Sequence, residues 1–170
     1  MKFPKTLFQV VLIAIASACD RATGPSGDPP VAPPFANVAS GCYTVSFGWN
    51  GTPSGATTFT GSLTGDLQGT LTTDLDFSTI RITGSTMSVS GTGYWEITGG
   101  VVQSPLSFET TIANRNQLAD RPGSPGTMFE NIGTHSSTTG ISKAYLAYTG
   151  TFTAIPSPET NHDYRGVICP

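Results

Sequence analysis

Two histidines, His135 and His162, are the side chains of this chain that titrate near neutral pH without help from their surroundings. A histidine becomes a base or a metal ligand when a second group orients it. The two stand far apart in the chain, outside any HExxH or related ligand spacing, and no GxSxG nucleophile elbow occurs. Both are expected on solvent-exposed loops. Asp74 and Asp76, two residues apart, could converge on a cation or work as an acid pair, but the face they share is rich in hydroxyls and is expected to be solvated, as are Glu96 and Glu109. No catalytic residue, no metal-ligand set and no cofactor is therefore assigned. The stretch Asn114–Gly140 reads as a long polar loop holding Arg121, Glu130 and His135, either a lid that selects a ligand or a solvated connection.

The elements that must position these residues follow a period of two. Phe59, Gly61, Leu63, Gly65, Leu67, Gly69, Leu71, Thr73, Leu75 and Phe77 alternate with hydroxyl and acidic residues, which predicts either one bent strand or two strands turning near Asp66. Met87 to Ile97, Leu106 to Ile112 and Ala144 to Ala154 repeat the pattern. Tyr43, Val45, Phe47 and Trp49 open the domain, with a hairpin turn expected at Asn50-Gly51 that Pro53 and Gly55 could enlarge. Short strands over Ser78–Thr83 and Tyr164–Cys169 bring the total to about eight. Trp49 and Trp95 fall on apolar phases and are expected in the core. No segment after the first 40 residues has helical periodicity.

The front of the chain is of another kind. Lys2 and Lys5 precede the apolar run Leu7–Ala18, which has the layout of an export signal and is too short to cross a bilayer as a helix. Ala16-Ser17-Ala18 fits ordinary signal cleavage, and together with Cys19 it resembles the lipobox of bacterial lipoproteins, with Ala16 in place of the commoner leucine. That resemblance implies a lipid on Cys19 after removal of residues 1–18, hence a membrane partner and a place in the cell envelope, inner or outer membrane undetermined. Residues 19–38, rich in proline and glycine, would form a disordered tether, and 39–170 one folded domain. With Cys19 taken by lipid, Cys42 and Cys169 are left as a pair for an oxidising compartment, the alternative being two separate buried thiols.

The fold class is all-β, a small antiparallel barrel of about eight strands or, alternatively, a β-sandwich. A barrel has no exposed edge strands, and after the signal segment Lys143 is the chain's one lysine with which an edge could be blunted. Cys42 at the start of the first strand and Cys169 at the end of the last would face each other if those strands pair. Phe59-Thr60-Gly61, Gly65-Asp66-Leu67-Gln68-Gly69 and Tyr148-Thr149-Gly150-Thr151-Phe152 resemble the glycine-punctuated pattern of allene-oxide-cyclase-like barrels. The resemblance implies a small antiparallel barrel and carries no catalytic residue across.

Charged residues make up 11% of the chain and the net charge is −3, with Arg81, Arg115, Arg121, Lys143 and Arg165 scattered among acids. Nucleic-acid binding needs clustered cations and is set aside. An integral outer-membrane barrel is disfavoured because the apolar faces are broken by glycines. Two functions remain: a lipid-anchored, non-catalytic binding or interaction module for a small apolar ligand, a glycan or an envelope protein, and a barrel isomerase or hydrolase with His135 or a loop glutamate as base.

Overall fold

In the computed structural model the described residues are 41–118, 128–153 and 158–170. The segment expected to direct export, Cys19, the expected tether and Arg121 lie outside them. Eight strands form one closed barrel: β1 (Tyr43–Pro53), β2 (Thr58–Gly65), β3 (Leu67–Thr83), β4 (Thr86–Gly100), β5 (Leu106–Leu118), β6 (Met128–Ser137), β7 (Lys143–Thr153) and β8 (Glu159–Cys169). Each pairs antiparallel with its sequence neighbours, and β1 closes on β8 from Tyr43↔Ile168 to Gly51↔Thr160. The sandwich alternative is thereby removed, because the first strand is hydrogen-bonded on both sides and no edge is left open.

The long alternating run is two strands. Gly65, at φ 104°, and Asp66 turn the chain, and Asp66 ties that turn to its neighbours: its carboxylate accepts from the Ser46 amide at 2.8 Å and its carbonyl from the Val101 amide at 2.8 Å. A break in register between Gln68 and Gly69 bends β3 into the barrel wall. Ser78–Thr83 is the far part of β3, offset from the rest by a second break in register between Asp76 and Arg81, and is no separate strand. The eighth strand is instead β6, inside the stretch expected to be a polar loop. Asn50 and Gly51 continue β1, and the turn falls at 54–57, where the Ser54 and Gly55 amides donate to the Thr58 carbonyl.

Alternation sorts the residues as expected. Val45, Phe47, Leu63, Leu67, Leu71, Ile97, Val102, Phe108, Leu146 and Ile168 pack inside, mainly toward the end of the barrel where Cys42 and Cys169 lie. Full burial of such a side chain stabilises by roughly 1.5–3 kcal/mol. The outer face carries exposed Asp74, Glu96, Glu109, Arg115, Lys143, Asp163 and Arg165. A membrane-spanning barrel has the reverse arrangement, apolar outside and polar within. Asp74 and Asp76 are solvated there. Asp76 accepts from the Ser78 hydroxyl and amide, which hold its carboxyl below the usual carboxylate range.

Cys42 and Cys169 form a disulfide across the β1–β8 seam, 127 residues apart in sequence. A crosslink over so long a loop removes much of the unfolded chain's freedom. Cys42→Ser is expected to lower unfolding stability by about 2–5 kcal/mol in chemical denaturation. A loss below about 1 kcal/mol would mean that the seam holds without it.

Candidate functional site

Both histidines point into the barrel. His135 is 1% exposed on β6 and His162 is 7% exposed on β8, which corrects the expectation of solvent-exposed loop residues. Strand phase is the reason. On β8 the inward series is Thr160, His162, Tyr164, Gly166 and Ile168; on β6 it is Asn131, Gly133, His135 and Ser137, with Glu130 outside and exposed.

The rings are accommodated because glycines stand beside them. Asn131, Gly150, His162 and Trp49 follow one another across β6, β7, β8 and β1, and Asn114, Gly133, Tyr148 and Tyr164 form the next row across β5 to β8. A methyl group at Gly133 would collide with the Tyr148 ring and hydroxyl, and one at Gly150 with His162. One at Gly93 would come within 2.7 Å of His135 Nδ1. Glycine in each row thus makes room for the rings that follow it, one way a small barrel fills its interior. Tyr148 stacks on His162 at 4.6 Å between centroids, Phe47 stacks on Tyr164 at 4.9 Å, and Trp95 meets His135 edge-on at 5.3 Å.

The two histidines differ in how fully they are satisfied. Trp95 Nε1 donates to Thr110 Oγ1 at 3.0 Å, Thr110 Oγ1 lies 3.0 Å from His135 Nδ1, and His135 Nε2 lies 3.1 Å from the Tyr164 hydroxyl. One proton placement satisfies every donor. His135 carries its proton on Nδ1 and shares Thr110 with the indole, Thr110 donates to the Gly93 carbonyl at 3.5 Å, and Tyr164 donates to His135 Nε2. The other tautomer leaves the Tyr164 proton without an acceptor among these groups. His135 has no nitrogen to spare.

His162 has one. Asn131 Nδ2 reaches across Gly150 to His162 Nε2 at 2.9 Å, while His162 Nδ1 and Asn131 Oδ1 are buried with no hydrogen-bond partner. If the amide donates, His162 carries its proton on Nδ1 and offers a bare donor beside a bare amide oxygen. If the amide is turned, the open nitrogen is an acceptor beside a free NH2. Either way one donor and one acceptor remain open. Asn114 Oδ1, on the diagonal from Asn131, is buried and unpartnered too. Asn116, directly opposite Asn131, and Thr160 complete a polar interior at the end of the barrel away from the disulfide.

Burial sets the charge state. It lowers the His135 pKa to about 3, with His162 adding repulsion, and lowers that of His162 to about 4. Burial raises Tyr148 and Tyr164 above the usual phenol range, Tyr164 being raised further by Tyr148. At neutral pH the cluster is uncharged. No Asp, Glu, Lys or Arg is buried among the described residues, and none of their His, Cys, Asp and Glu side chains gather in a group of three or more fit for a metal ion.

Of the residues singled out in the sequence, the structure joins His135 and His162 in one interior, with Trp49 and Trp95 around them, and leaves Asp74, Asp76, Glu96, Glu109 and Glu130 outside. Asn114, Asn131, Thr110, Tyr148 and Tyr164 were missed. The signal for them was the alternation of Asn131, Gly133, His135 and Ser137, which is period two with polar residues on the inner phase. Compared with known proteins, the chain matches no family model, no curated protein and no solved structure.

Two measurements separate the halves of the cluster. Thr110→Val strips the indole and His135 of their shared acceptor and is expected to cost about 1–3 kcal/mol in denaturant unfolding. The pair Asn131→Leu with His162→Phe removes two of the three unpartnered groups together and should be at least as stable as the parent. A pair variant more than about 2 kcal/mol less stable would show that these groups are satisfied in solution.

The histidines also predict a pH dependence. Between their folded values of about 3 and 4 and the ordinary value of about 6.5, the unfolded chain binds protons that the folded chain refuses. Their contribution is complete above pH 6.5 and is lost as pH falls toward 4, by up to about 1.4 kcal/mol per pH unit for each histidine. Unfolding curves at pH 7 and pH 5 test this, and equal stabilities would mean that both rings are already solvated.

Proposed function

We propose that the chain is an exported, lipid-anchored envelope protein whose barrel is a non-catalytic binding module, with a small ligand held at the Asn131–His162 end of the interior. One observation carries the binding half: three buried polar atoms, on Asn114, Asn131 and His162, lack partners at the same end of the barrel. Each costs about 1–3 kcal/mol if nothing fills it, and native proteins leave few such groups without a reason. The Trp95–Thr110–His135–Tyr164 chain, fully paired beside them, holds the interior in shape.

The anchor rests on the resemblance of Ala16-Ser17-Ala18-Cys19 to a lipobox and on the unfoldable composition of the segment after it. A tether lets a folded module stand off a membrane. The likeness to allene-oxide-cyclase-like barrels bears on fold and adds nothing about activity. An enzyme needs a base with an open side. His135 has both nitrogens engaged and Glu130 faces outward, so that reading would have to move to His162.

Membrane fractionation of the full chain and of Cys19→Ser tests the anchor: the parent should be in the membrane pellet with a lipid-sized mass increment, the variant in the soluble exported fraction. An unmodified Cys19 in membrane-extracted protein would refute it. For the barrel, the fluorescence of Trp49, whose ring centroid is 5.6 Å from that of His162, should respond to a bound molecule in a screen of envelope small molecules, and the response should disappear in the Asn131→Leu, His162→Phe pair. A response that persists in the pair would place the ligand elsewhere.

A further inference from the structure

Resting on the proposed binding function, we infer that the ligand of the Asn114–Asn131–His162 cluster is a neutral, hydroxyl-rich molecule, a polyol or a sugar. The inference comes from the kinds of atom left open. Asn131 is 2% exposed and His162 7%, so what pairs with them must enter the barrel rather than approach from bulk water. Two of the open atoms are amide oxygens, which accept only, and the third is an imidazole nitrogen, which donates when Asn131 Nδ2 faces His162 Nε2. The entering group must donate to Asn114 and Asn131 and accept from His162. A hydroxyl does both, since it carries one proton and two lone pairs and rotates to suit, and neighbouring hydroxyls do so for neighbouring partners. The same property lets it fit His162 with the amide in either orientation.

Charge excludes ionised ligands. A carboxylate or phosphate would meet two amide oxygens and no buried cation, and an ammonium group would have no buried carboxylate to pair with, among the described residues. Burying an unpaired charge costs far more than two or three hydrogen bonds return. A purely apolar ligand would leave all three atoms as unpaired as they are now.

Calorimetric titration of the full chain, purified from membranes in detergent, tests this with five probes: myo-inositol, trehalose, glucuronate, glucosamine and laurate. Myo-inositol or trehalose should bind, with glucuronate and glucosamine at least about tenfold weaker. Asn131→Leu and the less buried Asn114→Ala should each weaken the neutral probe by about tenfold, the worth of one hydrogen bond of roughly 1.4 kcal/mol. Unfolding midpoints near the parent's would show that the variants are folded. Binding of laurate alone, or of a charged probe as tightly as the neutral ones, would overturn the polyol class while leaving an interior binding site. Neutral binding that neither variant weakens would overturn the assignment to this cluster. Failure of all five probes would overturn both the class and the binding function beneath it.

Discussion

The interior of an eight-stranded barrel is only just wide enough for side chains, and here it must hold two indoles, two phenols and two imidazoles. That limit on volume governs the rest of the structure. Rings lie against rings, Tyr148 opposite Tyr164 and Tyr164 opposite Phe47, and glycines leave room beside three of them, Gly133 beside Tyr148, Gly150 beside His162 and Gly93 beside His135. The glycines that look in the sequence like interruptions of an apolar face are the space into which the rings fold. Closure of β1 on β8 is tied to the same requirement, since an open sheet would leave these rings half in water.

Once the rings are packed, polarity becomes the next constraint. An imidazole taken out of water is held neutral and must find partners for two nitrogens. His135 finds both, through Thr110 and Tyr164, and the chain of bonds starting at Trp95 leaves no donor over. His162 finds one. The contrast within one barrel, under the same burial, separates a histidine with both nitrogens engaged from one with a single nitrogen engaged. Asn114 Oδ1 and Asn131 Oδ1 are left without partners under the same constraint.

Most of the wall was legible from alternation. β2, β3, β4, β5 and β7 carry apolar residues broken by glycine and threonine on alternate positions, and Phe59, Leu63, Leu67, Leu71, Trp95, Ile97, Phe108, Leu146 and Tyr148 are in the core as the pattern assigned. β6 was not legible. Its inner phase is Asn131, Gly133, His135 and Ser137, while its outer phase includes Ile132, so a rule that equates the inner face with the apolar face reads it as a loop. The expected number of strands came out right only because Ser78–Thr83 had been counted separately in its place. The strand that escaped is the one that holds Asn131, which is where agreement between levels is expected to fail. His162 escaped for a related reason, since β8 begins five residues before the strand expected from Tyr164.

The order of residues alone determined the all-β class, the two faces of most strands and an apolar front with a cysteine before a proline- and glycine-rich segment, because each depends on neighbours a few positions apart. It also suggested the Cys42–Cys169 pair, through the number of thiols and their places at the two ends of the domain. Which polar residues meet was decided only by the register of strands distant in sequence. Asn131 and His162 become partners because β6, β7 and β8 align so that both lie opposite Gly150, and a shift of one residue in either pairing would send one of them to the outer face. Hydrogen-bond satisfaction is a property of that three-dimensional alignment. No local pattern could have told the paired histidine from the one with a nitrogen left open.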